Sequence, residues 1–285
     1  MSVTYGELEK VYAECLAKES EPSFFFKKPM NVIVCPVRNG LHYTREAMKT
    51  FLAQDVPDLH IVFIDNASTD GTTDWLKTQD CFVFHNTTPR SVAASWNAGL
   101  RWAFEHGAET CLVVNNDVLL RPDTYRLLSE DGGLFVTAVA SDDPDCIRPV
   151  KGPTGRWEYS EPDPDAKRPH PTMSCFLMRR ECWDRVGPFD EEFKGGYVED
   201  LMQHYRMHKS GITAYCIDLA FYHAGSGTMK CASPEEVAEI SAQAQRNRDL
   251  FFKKTGLQPA SEEYYAMFKT TAEAVESAAP APQQP

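Results

Sequence analysis

Short apolar runs alternate with helix-spaced segments along the first half of the chain. NVIVC (31–35), HIVFI (60–64), a run at 81–84 and CLVV (111–114) have the length and β-branched content of buried strands. Between them apolar residues recur at three- and four-residue spacing, which predicts helices over 43–53, 72–78 and 91–105. Strands that are apolar without alternation are buried on both faces. The rhythm therefore predicts an α/β fold with a mostly parallel sheet and helices on both sides.

From about residue 134 the rhythm changes. LFVTAVA (134–140), CIRPV (146–150) and SCFLM (174–178) read as strands, followed by a short helix at 180–186, a helix starting near 198 and a strand near 213–217. Residues 151–171 are rich in proline, glycine and charge and lack periodicity; such a loop is either a lid, with Trp157, Tyr159, Lys167 and Arg168 as contacts, or a surface excursion. Residues 4–18 have helical spacing, and 234–254 predict a C-terminal helix with Val237, Ile240, Ala244 and Phe251 on one side. The expected organisation is a helical extension over 1–30, an α/β domain over 31–230 in two halves (31–120 and 121–230), a helical segment over 231–272 and a disordered tail over 273–285.

Composition narrows the class. A chain of 285 residues with 42% hydrophobic content can bury a sizeable core. Its apolar runs fall far below the roughly 18 residues needed to cross a bilayer, and MSVTYGELEKVYAECLAKES lacks the apolar centre of a signal peptide, so a cytoplasmic location is expected. Nine cysteines, odd in number and scattered, indicate no disulfide framework, and Cys35, Cys111, Cys175 and Cys216 read as reduced core residues. The net charge of −12, from 41 acids against 29 Lys plus Arg, opposes non-specific nucleic-acid binding.

Candidate chemistry gathers at the ends of the predicted strands, which read CPVRNG, DNASTDGT and NNDVLL. Ligands of open parallel sheets bind beyond those ends. A dinucleotide site needs a glycine-rich turn after the first strand, but Pro36-Val37-Arg38-Asn39-Gly40 has a single glycine, and GxxxxGK[ST] is absent. Without a backbone phosphate cradle, a nucleoside diphosphate is commonly neutralised by Mg²⁺ or Mn²⁺ on oxygen ligands. Asp117, just past a buried strand, can supply one such ligand, and Asp65 can accept hydrogen bonds from a base or ribose. A plain strand-end turn explains Asn-Asn-Asp equally well when it stands alone, and Asx-type turns and helix capping explain Asp65 and Asp70.

Several motifs in order carry a resemblance. PVRN (36–39), DNASTDGT (65–72), SVAASWNAGL (91–100), NND (115–117), GPFDEEFKGGYVEDLMQHYR (187–206) and HAGSGT (223–228) together resemble an inverting glycosyltransferase of family 2, in its rhamnosyltransferase-like members. The resemblance covers about 31–228 and implies the GT-A nucleotide-sugar-binding fold, with 31–120 as the nucleotide-binding half and 121–230 as the acceptor half. It implies donor contacts from Pro36, Arg38, Asn39, Asp65, Asn66, Asn97, Asn115 and Asn116, and a Mn²⁺ or Mg²⁺ ion on Asp117 and His223. It makes Asp200 the general base, with Glu199 beside it for acceptor or positioning contacts. Asn115 stands where the first carboxylate of a DxD motif would be, and Met202 and Gln203 replace an Asp and a Leu of the family's E-D-x-D-L-x-x-R, while Arg206 remains.

The helix dipole at the start of the helix near 198 favours ionised carboxylates, which suits a base. His204 and His208 share a helix face with Asp200 but lack the Glu of HExxH, so a structural role is the simpler reading. The expected reaction moves a sugar from a nucleotide-diphosphate sugar to an acceptor hydroxyl. A glycan or glycolipid acceptor is expected, with protein and modified nucleic acid left open. The alternatives are a nucleotidyltransferase and a non-catalytic nucleotide-sugar-binding protein.

Overall fold

The computed structural model describes residues 3–4, 30–148, 155–158, 171–225 and 232–268. The strands are β1 (Val3–Thr4), β2 (Asn31–Val37), β3 (Leu59–Asn66), β4 (Phe82–Asn86), β5 (Thr110–Val114), β6 (Val118–Leu119), β7 (Phe135–Ser141), β8 (Arg156–Glu158), β9 (Pro171–Arg179) and β10 (Ala214–His223). The helices are α1 (Leu41–Leu52), α2 (Thr72–Leu76), α3 (Val92–Glu105), α4 (Thr124–Glu130), α5 (Arg180–Val186), α6 (Glu199–Lys209) and α7 (Pro234–Thr255), and residues 262–268 add a further helical stretch.

The strands form one sheet in the order β1-β4-β3-β2-β5-β9-β7-β10-β6, with β8 beside β10. The run β1-β4-β3-β2-β5 is parallel throughout, β7 pairs parallel with β10, and β9 runs antiparallel between β5 and β7. The uninterrupted apolar runs of β2, β3 and β5 occupy the middle, where both faces are covered. One core cluster joins Val32, Val34, Val62 and Val113 to Trp96, Leu100 and Ala103 of α3. A second joins Ile33, Cys35, Phe63 and Leu112 to Ala47, Met48 and Phe51 of α1. Cys35, Cys111, Cys175 and Cys216 are buried and unpaired, as their surroundings in the sequence suggest.

Two predicted elements take another form, and β6, β8 and α4 lie where the sequence pattern predicts none. Where CIRPV is expected to begin a strand, Pro144–Ile147 form a 3-10 turn, started by the Asp143 side chain, which accepts from the Asp145 N–H at 2.9 Å, while Pro149 and Val150 lie outside the described residues. The strand expected near 213–217 instead runs ten residues, to His223, because it pairs with β7, β8 and β6 in succession. The helix expected over 4–18 lies outside the described residues apart from Thr4, which is in β1. The tail 273–285 and most of the 151–171 loop lie outside them too, including Tyr159, Lys167, Arg168 and the side chain of Trp157.

α7 and residues 262–268 pack on α6 through a third cluster of Phe193, Val198, Met202, Phe251, Tyr264 and Phe268. α7 is well delimited: Ser233 and Glu236 form a reciprocal capping box, and Gly256 ends the helix in the left-handed region. His204 sits inside this cluster, stacked on Phe268 with its Nδ1 3.1 Å from the Tyr264 hydroxyl. Burial, reinforced by His208, pushes its pKa down to about 3, so it is a neutral packing group.

Candidate active site

The carboxyl ends of β2, β3 and β5 open on a cleft of about 380 Å³. Register decides what stands there. β6 pairs antiparallel with β10 so that Val118 faces His223, and the Ala224 N–H donates to the Asp117 carbonyl at 3.0 Å. The turn after β5 is thereby folded against the end of β10. Asp117 Oδ1 lies 3.3 Å from His223 Nε2, and both residues line the cleft. The apolar residues that follow the turn, Val118 and Leu120, return to the core.

The acidic pair reaches the same cleft from α6, where Glu199 and Asp200 occupy the first turn. They do not behave alike. Glu199 is 5% exposed, and burial, followed by the neighbouring Asp200 charge, raises its pKa to about 8. The helix dipole therefore does not keep Glu199 ionised at neutral pH, contrary to expectation, because loss of hydration outweighs it. Asp200 is more exposed and its Oδ1 accepts from the Leu201 N–H at 2.8 Å. Glu199 Oε2 is buried and has no hydrogen-bond partner among the described residues, and the same holds for Nε1 of Trp96, another cleft residue.

Pro36, Arg38, Asn66, Asn115 and Asn116 of the sequence-derived donor set line the cleft. Asn66 is held by Arg90, whose N–H it accepts at 2.7 Å and to whose carbonyl it donates at 2.8 Å. Asn116 donates to the Asn39 carbonyl and to Thr44 Oγ1, at 3.2 and 3.0 Å.

Three members of that set do not reach the cleft. Asp65 is fully buried; its carboxylate accepts from the Ser68 N–H at 3.0 Å and from the Thr73 hydroxyl, and lies 2.9 Å from His85 Nδ1. It braces the loop that presents Asn66. Asn39, at φ 59°, accepts from the Thr69 N–H at 2.8 Å and joins the β2–α1 turn to the β3–α2 loop. Asp70 completes that joint by accepting from the N–H groups of Leu41 and Thr72; against the cost of its partial burial, these bonds and that of the Thr72 hydroxyl hold its carboxyl below the ordinary range.

Asn97 is 2% exposed and clips α3 to the 187–191 segment, accepting from the Phe189 N–H at 2.8 Å and donating to the Phe189 carbonyl and to Glu191. Helical geometry explains this placement. Val92, Ser95 and Trp96, at i, i+3 and i+4, share the face that lines the cleft, and Asn97 is a further 100° around. That spacing was available in SVAASWNAGL. The rest of the wall joins Gly195 to Tyr197, inside the 187–206 motif, to Met173 and Ser174, which gave no local signal.

The strand-end cleft on a mostly parallel sheet, with helices on both faces, defines the molecule as an α/β protein of the GT-A type. Residues 32–131 match the family described as Glycosyl transferase family 2. An undecaprenyl-phosphate mannosyltransferase of Micrococcus luteus is 31% identical over 84 residues, which are 28% of this chain and 35% of that protein. Among solved structures, TarS of S. aureus aligns with a TM-score of 0.50 at 19% identity, over 74% of this chain and 38% of TarS. The mannosyltransferase PcManGT from Pyrobaculum calidifontis, solved with GDP-Man and Mn²⁺, aligns with a TM-score of 0.50 at 18% identity, over 96% of this chain and 84% of its own. The chain spans about a third of the curated relative's length. Among the described residues no helix is long and apolar enough to cross a membrane.

Proposed function

We propose that the chain is an inverting glycosyltransferase that moves a hexose or deoxyhexose from a nucleoside-diphosphate sugar to an acceptor hydroxyl. One observation carries the reading: the Asp117–His223 pair and the Glu199–Asp200 pair line one cleft at the strand ends. The match of residues 32–131 to glycosyltransferase family 2 supports it. The rhamnosyltransferase-like motifs and the two mannosyltransferase relatives favour a hexosyl-type donor.

Asp200 is the general base in this scheme. It takes the proton of the acceptor hydroxyl as the oxygen attacks the anomeric carbon and the bond to the diphosphate breaks. Pro36, Arg38 and Asn66 form the wall expected to hold the nucleoside, and Asn115 and Asn116 keep the turn below it polar. Tyr197, an aromatic ring 49% exposed beside the acidic pair, offers an apolar face to the acceptor. A glycan or glycolipid acceptor fits the relative that acts on undecaprenyl phosphate.

The residues present suit a hard divalent cation of the type seen with PcManGT. Among the described residues no cluster of three or more His, Cys, Asp or Glu side chains could enclose an ion. One carboxylate and one imidazole suit an ion that takes its remaining oxygens from a diphosphate, and Mn²⁺ and Mg²⁺ both bind in that way. Asp117 and His223 would hold it, and its chemistry there is neutralisation of the leaving diphosphate.

The test is turnover of a panel of UDP-, GDP- and dTDP-sugars, with and without Mn²⁺, in the parent and in Asp200→Asn. The parent is expected to release nucleoside diphosphate only with metal. Asp200→Asn is expected to lose about a hundredfold or more in kcat while binding the donor as before. Equal kcat in both proteins overturns the base assignment. Donor binding without turnover points to a binding module instead.

A further inference from the structure

Tyr197 and Val198 both adopt left-handed backbone conformations, at φ 73° and 76°, immediately before Glu199 and Asp200. For a β-branched residue this is a genuine outlier, since its Cβ substituents crowd the backbone there. Two such residues in succession persist only when their surroundings over-determine them. Val198 is buried among Phe193, Met202 and Phe251, which fixes its side chain. The backbone of the turn is held from α3, from α7 and by the Met202 N–H of α6, which donates to the Val198 carbonyl at 3.0 Å.

Asn247 is 1% exposed, and the two hydrogens of its Nδ2 are shared among three main-chain carbonyls of the turn: Lys194 at 2.9 Å, Gly196 at 3.0 Å and Tyr197 at 2.9 Å. Its Oδ1 is held in turn by Gln243 Nε2 at 2.9 Å. On the opposite side the Val92 N–H of α3 donates to the Gly195 carbonyl at 2.6 Å. The segment before the turn has its own anchors: Gln203 and Arg206 bond carbonyls at 186–188, and Lys254 pairs with Asp190 and Glu192. Of the steps into the acidic pair, the Tyr197 carbonyl is bonded by the Asn247 side chain and the Val198 carbonyl by the Met202 N–H.

The position of Asn247 in α7 is itself informative. Val237, Ile240, Ala244, Asn247 and Phe251 follow helical spacing along one face, so the amide interrupts an apolar row at one of its two most buried places. A polar group costs stability there unless its hydrogen bonds are made; the Nδ2 bonds go to the turn and the Oδ1 bond to Gln243.

We propose that Asn247 is a positioning residue for glycosyl transfer: from α7 it holds the Tyr197–Val198 step and, through it, the attitude of Asp200 and of the Tyr197 ring in the cleft. The proposal rests on the transferase reading above. It places one requirement of the reaction in the C-terminal helix, beyond the 32–131 family match.

Hydrolysis of the donor sugar with Mn²⁺ tests it without a known acceptor, because water is then the nucleophile. Asn247→Leu removes the donor at similar size and is expected to lower kcat about tenfold or more, with the donor KM within about twofold. Asn247→Ala, which leaves space for water to bond the carbonyls, is expected to lose less, and it serves if the leucine protein does not fold. Glycine accepts the left-handed conformation freely, so in a Val198→Gly background the same Asn247 substitution should cost no more than about threefold.

A merely structural role would lower Tm while leaving kcat intact at a temperature well below Tm. That result, or an equal fold-loss in both backgrounds, overturns the proposal. A parent that turns over no donor overturns the transferase reading, and this inference falls with it.

Discussion

Two adjacent carboxylates at one helix start occupy different environments, and that difference assigns their roles. Glu199 is buried and holds its proton to about pH 8, through desolvation first and the Asp200 charge second. The sign of the resulting pH dependence is fixed. Below the ordinary glutamate range, Glu199 is protonated in both folded and unfolded chains. As pH rises from about 5, the unfolded chain releases that proton and the folded protein keeps it, so unfolding is progressively favoured until the folded group titrates. Glu199→Gln lacks this penalty. Its Tm relative to the parent should climb between about pH 5 and 8 and level off above. Parallel Tm curves across that range would show that the folded protein does not retain the proton. The same reasoning separates Asp65 from Asp117. Both lie at strand ends, but Asp65 is consumed by Ser68, Thr73 and His85, whereas Asp117 meets His223 in the cleft.

At the scale of elements, α3 decides how the cleft is walled. It lies on β2 at Gly99, where a methyl group would sit 2.3 Å from Val34 Cγ1 and 2.8 Å from Cγ2. Val34 is fully buried in a central strand and its branched side chain has nowhere to turn. Gly99→Ala must therefore lift α3 from the sheet, and with it Val92, Ser95 and Trp96 on the cleft side. A loss of about 1–3 kcal/mol is expected in denaturant unfolding, together with weaker nucleotide-sugar binding. An alanine protein of unchanged midpoint would show that the helix has room the structure does not display. Helical spacing made the cleft-facing row of α3 legible in the sequence. The motif drew attention to Asn97 instead, because an asparagine within a family pattern suggests ligand contact even when its partner is main chain.

For the whole molecule, the C-terminal helix is packed into the α/β domain. α7 supplies Phe251 to the third cluster, Lys254 to Asp190 and Glu192, Ile240 to the cleft and Asn247 to the turn before Glu199. Removing the chain from Ser233 onward bares Phe193, Val198 and Met202. The shortened protein is expected to aggregate or to lose its cooperative thermal transition. A soluble truncation with the parent's Tm would mean that the α/β domain is complete without α7.

Local pattern alone determined the strands β2 to β5 with the helices between them, the parallel centre of the sheet and the polar strand ends, because burial on two faces leaves continuous apolar runs and helices leave a 3.6-residue period; the short β6, β8 and α4 left no such pattern. The ordered motifs added NND, the Glu-Asp pair and His223 as candidates. Only the tertiary structure decided which of these meet. The β6–β10 register brings Asp117 to His223, burial gives Glu199 its proton, and side-chain bonds withdraw Asp65, Asn39 and Asn97 from the cleft. Asn247 was hidden for the same reason: its three partners are carbonyls some fifty residues away, and main-chain acceptors carry no residue-specific signature.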